Sequence, residues 1–172
     1  WFVDVDFETG KRINWEQDEL SSFYGGLLAQ GGAVREGAAY TRSWAEVQKR
    51  FGVLPEEYDA ATGKGISSTN SLRPELADAA FNLWLLDRSE EWRLIARDHY
   101  LAMKRWNKAR YGYATLSDVT VSPKTQSDHC PGYWWSEQMK YYYLIFSDTP
   151  RFDYRRNYLS TEGNILRGLR RR

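Results

Sequence analysis

Residues Ser71–Leu86 read SLRPELADAAFNLWLL, with Arg73, Pro74 and Glu75 standing directly before a run of apolar residues. The order predicts a helix that opens at Pro74. Proline fits a first turn because its missing N–H would have no helical partner there and its φ is already near the helical value. Glu75 then sits at the positive end of the helix dipole. Asp78 follows at i+3 on the same face, amid Leu76, Ala77, Ala79, Ala80 and Phe81. Beyond this first turn the segment is apolar most of the way round, so it should be covered on more than one side. Two carboxyls crowding the start of such a helix need a reason.

Outward from that helix the chain repeats a pattern. Upstream, WFVDVDF alternates briefly and TGKR reads as a turn, so residues 1–13 resemble a short strand and hairpin. From Asp18 to about Gln30 the pattern is helical; Gly25 and Gly26 inside it signal a close helix contact or a kink. A second, amphipathic helix runs from about Val34 to Phe51, and residues 52–70 read as a loop. Downstream, DRSEE makes a turn. Trp92, Ile95, Ala96, His99, Ala102, Met103 and Trp106 then keep to one face of a helix whose back is wet. GYATLSDVTV reads as a strand or hairpin, and Pro131 to about Phe146 as a helix so aromatic that no polar face remains.

The order is therefore enclosed, one-sided, enclosed, one-sided, enclosed. Acidic residues recur near the starts of the enclosed members, at Asp18, Glu75 and Glu137. A double layer of helices with the enclosed members as an inner ring, an α/α toroid, accounts for both facts by bringing each first-turn acid to one rim. The repeat is one of architecture; the letters themselves do not repeat.

Composition narrows the function classes. The 172 residues could form one domain with a sizeable core. With 24 Lys+Arg against 23 Asp+Glu, no overall field points to nucleic acid or a membrane surface. No apolar run is long enough for a membrane span, and no signal peptide is visible. The chain starts at Trp1, as a processed or excised piece would. The lone Cys130 excludes an internal disulfide. Aromatic content is high, 16% with eight Trp and twelve Tyr. Either these rings pack helical layers or some line a groove, and sugars favour such surfaces.

Carboxyls converging beside aromatic rings suit glycosidic bond hydrolysis, where one acid protonates the departing oxygen and the other activates water or attacks. On pattern alone, Glu75 stabilising the helix start and Asp78 facing water is the simpler reading. Glu137, between Trp134, Trp135, Met139, Tyr141 and Tyr142, resists it, since an unpaired charge there is costly. Near the end, YLSTEGNIL offers Thr161 and Glu162 as hard oxygen ligands of the kind Ca²⁺ accepts; a plain turn is the competing reading. His99 reads as a packed core residue. His129 and Cys130 do not compose a zinc spacing. The basic tail LRGLRRR reads as a solvated terminus.

SLRPEL, GYATLSDVT, SEQMKYYYLIFSD and YLSTEGNIL, in that order, resemble the C-terminal part of the class I α1,2-mannosidases, glycoside hydrolase family 47. WFVDVDFETG, DELSSFYGGLLAQGG and FGVLPEEYD are similar to the ER-degradation-enhancing mannosidase-like branch within it. The resemblance spans essentially the whole chain. It implies an all-α (α/α)7 barrel of which residues 1–172 are the C-terminal portion, with small β-hairpins at the helix connections and a C-terminal plug. It also implies Ca²⁺ and inverting hydrolysis of α1,2-linked mannose on N-glycans of glycoproteins in the secretory pathway, in the ER lumen or after secretion. On the same likeness, Glu75 is the general base and Arg73 contacts sugar. Glu137 binds sugar or the metal's waters, Tyr133 takes the place of a substrate-facing Phe, Thr161 binds Ca²⁺, and Glu162 is its acidic neighbour. Asp18, Glu19 and Asp78 complete the expected sugar-binding set. The family's general acid lies upstream of these residues, so an N-terminal part of the same enzyme is an expected partner. A thiol oxidoreductase, as in the degradation branch, is another.

The sequence also departs from the family pattern. Cys130, Pro131, Gly132 and Tyr133 replace Met-Glu-Ser-Phe, with loss of one acid. Asp78 stands where Glu is usual, Glu19 where the trimming enzymes have His, and Asn164 in place of the His of Thr-Glu-Gly-His. A displaced carboxylate can cost on the order of 10²-fold in rate. A module that binds mannose glycans without turnover is therefore the alternative reading, and a helical scaffold with no sugar site a third.

Overall fold

The computed structural model describes residues 1–149, 153, 157–160, 162 and 164–167. Residues 1–13 form the expected hairpin, held by a bridge between Val5 and Arg12 and tightened by Asp6, whose carboxylate accepts from the Thr9 N–H at 2.7 Å. Strand β1 (Glu16–Asp18) follows, and Asp18 caps a 3₁₀ turn, Glu19–Phe23, by accepting from the Ser21 N–H. Helix α1 (Tyr24–Gln30) continues it. The helix expected from Asp18 thus starts later, because Asp18 still belongs to a sheet.

That sheet corrects the reading of residues 52–70 as a loop. β2 (Glu57–Asp59) and β3 (Lys64–Gly65) pair antiparallel, with β1 beyond β2, in the order β1-β2-β3. The strands are too short, and too rich in turn residues, for alternation to show. Helix α2 (Val34–Phe51) ends at Gly52, whose φ of +79° lets the chain leave in the left-handed region glycine tolerates. α3 (Glu75–Asp87) starts directly after Pro74, and α4 (Glu90–Trp106) is capped by Ser89, which accepts from the Glu91 N–H.

The segment expected as one strand or hairpin divides between two. β4 (Lys108–Ala109) pairs with β5 (Gly112–Tyr113), and β6 (Leu116–Asp118) with β7 (Thr125–Gln126). A π-helical turn, Trp134–Gln138, then leads into α5 (Met139–Phe146). β8 (Asn157–Leu159) and β9 (Ile165–Arg167) form an antiparallel hairpin where the plug was expected.

The helices pack in two layers. α3 touches α1, α2, α4 and α5, while α2 and α4 lie against each other behind it. α1 is seated closely on both neighbours: a Cβ at Gly25 would overlap Thr41, one at Gly37 would overlap the Gly25 carbonyl, and one at Gly26 would come within 3.0 Å of the Ala79 Cα. The close contact read from the glycine pair is present. The main core holds Phe81, Leu83, Trp92, Ala96, Trp134 and Ile145; a smaller one gathers Tyr40, Trp44, Leu54 and Leu76. α3 is enclosed as expected, but the α1 and α5 segments are only partly so. Leu20, Phe23, Leu27, Trp135 and Tyr143 are exposed. Among the described residues no helix is long and apolar enough to cross a membrane.

Candidate functional site

The first turn of α3 and the π turn before α5 bring their acids together. Glu75, Asp78 and Glu137 line one pocket of about 320 Å³, completed by Leu20, Phe23, Pro74 and Tyr141. Glu75 lies where desolvation raises its carboxyl to about 8; Arg73 partly offsets this, and the charges of Glu137 and Asp78 add to it. One of its oxygens, Oε2, is buried with no hydrogen-bond partner among the described residues. A dipole-facing surface carboxylate would not show this. The helix-start reading alone does not account for Glu75.

Asp78 is held rather than free. Asn82, one turn on, donates to its Oδ1 at 2.9 Å, Tyr141 also hydrogen-bonds it, and burial carries its carboxyl up to about 6. Glu137 is raised by burial, and by a hydrogen bond and like charge from Glu162. The β8–β9 hairpin brings Glu162 there, and Ser136 donates to its Oε2 at 3.1 Å. Two carboxyls so placed must share a proton or a cation. Lys140 steadies the hairpin by donating to the Ser160 carbonyl at 2.6 Å. Thr161, the expected calcium ligand, lies outside the described residues, among which no group of three acidic, His or Cys side chains has the geometry of a metal site.

Arg73 faces a second group. Its Nε donates to Glu56 Oε1 at 2.7 Å, and its Nη2 bonds the same oxygen. Tyr133 donates to the Ser71 carbonyl at 2.5 Å; burial pushes its hydroxyl up to about 12. The first-layer acid that reaches this group is Glu19, wholly buried, whereas Asp18 is exposed and spent on its cap. The expected convergence of Asp18 with Glu75 and Glu137 is thus not found.

Glu56, Lys140 and Tyr141 were not anticipated as site residues. Lys140 and Tyr141 stand three and four residues after Glu137, a helical spacing that could have flagged them. Glu56 reaches Arg73 through the β2–β3 hairpin that follows it, where the sequence predicts a loop. His99 is packed as expected, with its Nδ1 against the Tyr142 hydroxyl at 2.8 Å. Cys130 is free and exposed.

Two tiers of helices with carboxyls gathered at one end of the inner tier define an α/α toroid segment of the glycosidase type. The solved α1,2-mannosidase from Trichoderma reesei superposes with a TM-score of 0.77 at 21% identity, over 93% of this chain and 40% of that one. Residues 1–168 match the profile of glycosyl hydrolase family 47, and the chain belongs to that family. Relatives include alpha-mannosidase I MNS5 of Arabidopsis thaliana, 29% identical over 96% of this chain and 29% of its own length. The human ER degradation-enhancing alpha-mannosidase-like protein 2 is 24% identical over 87% of this chain and 26% of its own. The chain thus spans under a third of the length of these relatives.

Proposed function

We propose that this chain is the C-terminal portion of a single α/α barrel domain that hydrolyses α1,2-linked mannose on the N-glycans of glycoproteins in the secretory pathway, in the ER lumen, with inversion. The observation that carries the reading is the shared pocket of Glu75, Asp78 and Glu137. Glu75, desolvated and lifted to about 8, is a strong base once ionised and serves to activate water. Glu137 and Asp78 offer acceptors for sugar hydroxyls, and Arg73 and Tyr133 border the approach. Leu20, Phe23 and Tyr141 supply apolar wall for the sugar's C–H faces.

Inverting hydrolysis needs a second carboxyl, acting as acid, several ångströms away across the bond. That acid is assigned to the part of the barrel that this chain does not span, which is thereby its first partner. The exposed Cys130 is the thiol a redox partner would meet.

The residues present fit a hard cation. Glu137 and Glu162 meet carboxyl to carboxyl, beside the Lys140 ammonium, and offer the oxygen ligands through which a divalent ion relieves such a repulsion. Glu162 and Thr161 would hold Ca²⁺. Bound, it would supply a fixed positive charge for sugar hydroxyls.

Release of mannose from a free high-mannose glycan by the complete protein tests the reading. Glu75→Gln should lower kcat by about 10²–10⁴-fold, the usual worth of a positioned acid or base. EDTA should lower both activity and melting temperature. In the active protein kcat/KM should climb as pH rises through about 8, since the base works ionised. A wild-type protein that binds the glycan and releases nothing would instead mark a sugar-binding member of the family. The loss of an acid at Pro131 favours that second reading.

A further inference from the structure

The pocket chemistry leaves Glu19 unused. It is 0% exposed, and neither carboxyl oxygen has a hydrogen-bond partner among the described residues. A buried carboxyl without partners is rare enough to require a cause.

The sheet shows how it came there. Asp18 of β1 pairs with Glu57 of β2, and the next backbone bond along runs from the Glu19 N–H to the Glu56 carbonyl at 2.8 Å. Glu19 and Glu56 therefore stand opposite one another, the arrangement in which like charges destabilise a strand pair. From the α3 side Arg73 and Glu75 face Glu19; Tyr133 does so from before the π turn and Tyr142 from within α5. Arg73 is the cation among these groups, and both of its hydrogen bonds go to Glu56 Oε1. One guanidinium thus serves three carboxyls, with Glu56 Oε2 and Glu75 Oε2 also lacking partners among the described residues. Burial of such an imbalance needs a neutralising particle. A proton is the particle that needs no further ligand, and Glu19 is the carboxyl that solvent does not reach and whose oxygens accept no hydrogen bond from Arg73.

We propose that Glu19 is a neutral carboxylic acid and a positioning residue: by holding a proton it leaves Arg73 undivided on Glu56, fixed beside the pocket, and spares Glu75 a like charge as it ionises. Burial first, then the charges of Glu56 and Glu75, hold its proton far above the ordinary carboxyl range, with Arg73 opposing. The proton assignment stands on the fold alone; the positioning role rests on the mannosidase reading of Arg73 and Glu75.

A carboxyl whose folded-state value exceeds its unfolded value stabilises fully below the latter, about 4.5, and loses that contribution as pH rises toward the former. Glu19→Gln and Glu19→Met remove the titration. Melting temperatures of the complete protein, wild type against each variant, should therefore show a gap that shifts steadily in the variants' favour above about pH 4.5. The folding-constant ratio should grow by up to about tenfold per pH unit. A gap independent of pH, or one that moves in the wild type's favour, overturns the proton assignment. Wild-type protein labelled with ¹³C at the Glu side chains should show, at a pH above the range in which exposed carboxyls titrate, a neutral carboxyl signal that either folded variant lacks; the absence of any neutral signal there overturns the assignment whether or not either variant folds. In mannose release, KM of the wild type should rise at high pH as Glu19 ionises and competes for Arg73, and should rise less in Glu19→Gln and Glu19→Met, which cannot ionise; parallel KM profiles against pH overturn the positioning role. If the wild type releases no mannose, the mannosidase reading and the positioning role fall together, and the melting series still decides the proton.

Discussion

His99 and Glu19 are both buried without full pairing, and they respond to pH in opposite senses. His99 packs against Tyr142, and burial depresses its imidazolium from 6.5 to about 3. Its contribution to stability is therefore whole above about 6.5 and is lost as pH falls toward 3. Urea unfolding midpoints should drop across that window in the wild type and drop less in His99→Gln, whatever that variant's absolute stability. The apolar stripe of α4 placed His99 in the core from sequence alone, since period and burial are local properties. Its hydroxyl partner, 43 residues away, left no mark in the letters. Asp18 and Glu19 show the same limit at its finest. Adjacent strand residues face opposite sides, so a one-residue difference in where a short strand ends exchanges a solvent-facing cap for a buried acid. No composition rule separates the two.

At the scale of elements, α1 is fixed by absence of side chains. Gly25 and Gly37 admit each other's backbone, and Gly26 admits α3. Gly25→Ala and Gly37→Ala should each destabilise by about 1–3 kcal/mol through overpacking, beyond any gain in helix propensity, as read from denaturant midpoints. Gly132, whose Cβ would meet nothing within 4 Å, is the matched control. The long helices were legible because α2 and α4 carry one-sided periodicity and α3 carries a proline-led start. The β2–β3 hairpin was not. Two- and three-residue strands hold no readable period, and their pairing with β1 is a long-range fact. Glu56, and through it the true partner of Arg73, stayed hidden for that reason.

For the whole molecule, the alternation of enclosed and one-sided helices led to the layered toroid, and the packing of α3 on four other helices agrees with it. The same alternation overstated how far α1 and α5 are covered. Leu20, Phe23 and Leu27 on one side and Trp135 and Tyr143 on another remain open. On the proposed barrel reading, the helices that complete such a ring cover them. Residues 1–172 produced alone should bind a hydrophobic dye strongly, and the complete polypeptide should not. Equal dye binding by both would show that these side chains stay open in the finished ring.

The π turn at Trp134–Gln138 carries one residue more than an α-helical turn requires, and such insertions recur at functional positions. Deleting Glu137 itself would let the segment relax to ordinary helix while Trp134 and α5 keep their seats. The backbone would heal, yet the pocket would lose that carboxyl. Shape and chemistry are thus separable here: a single-codon deletion removes a pocket acid and leaves the two tiers of helices folded.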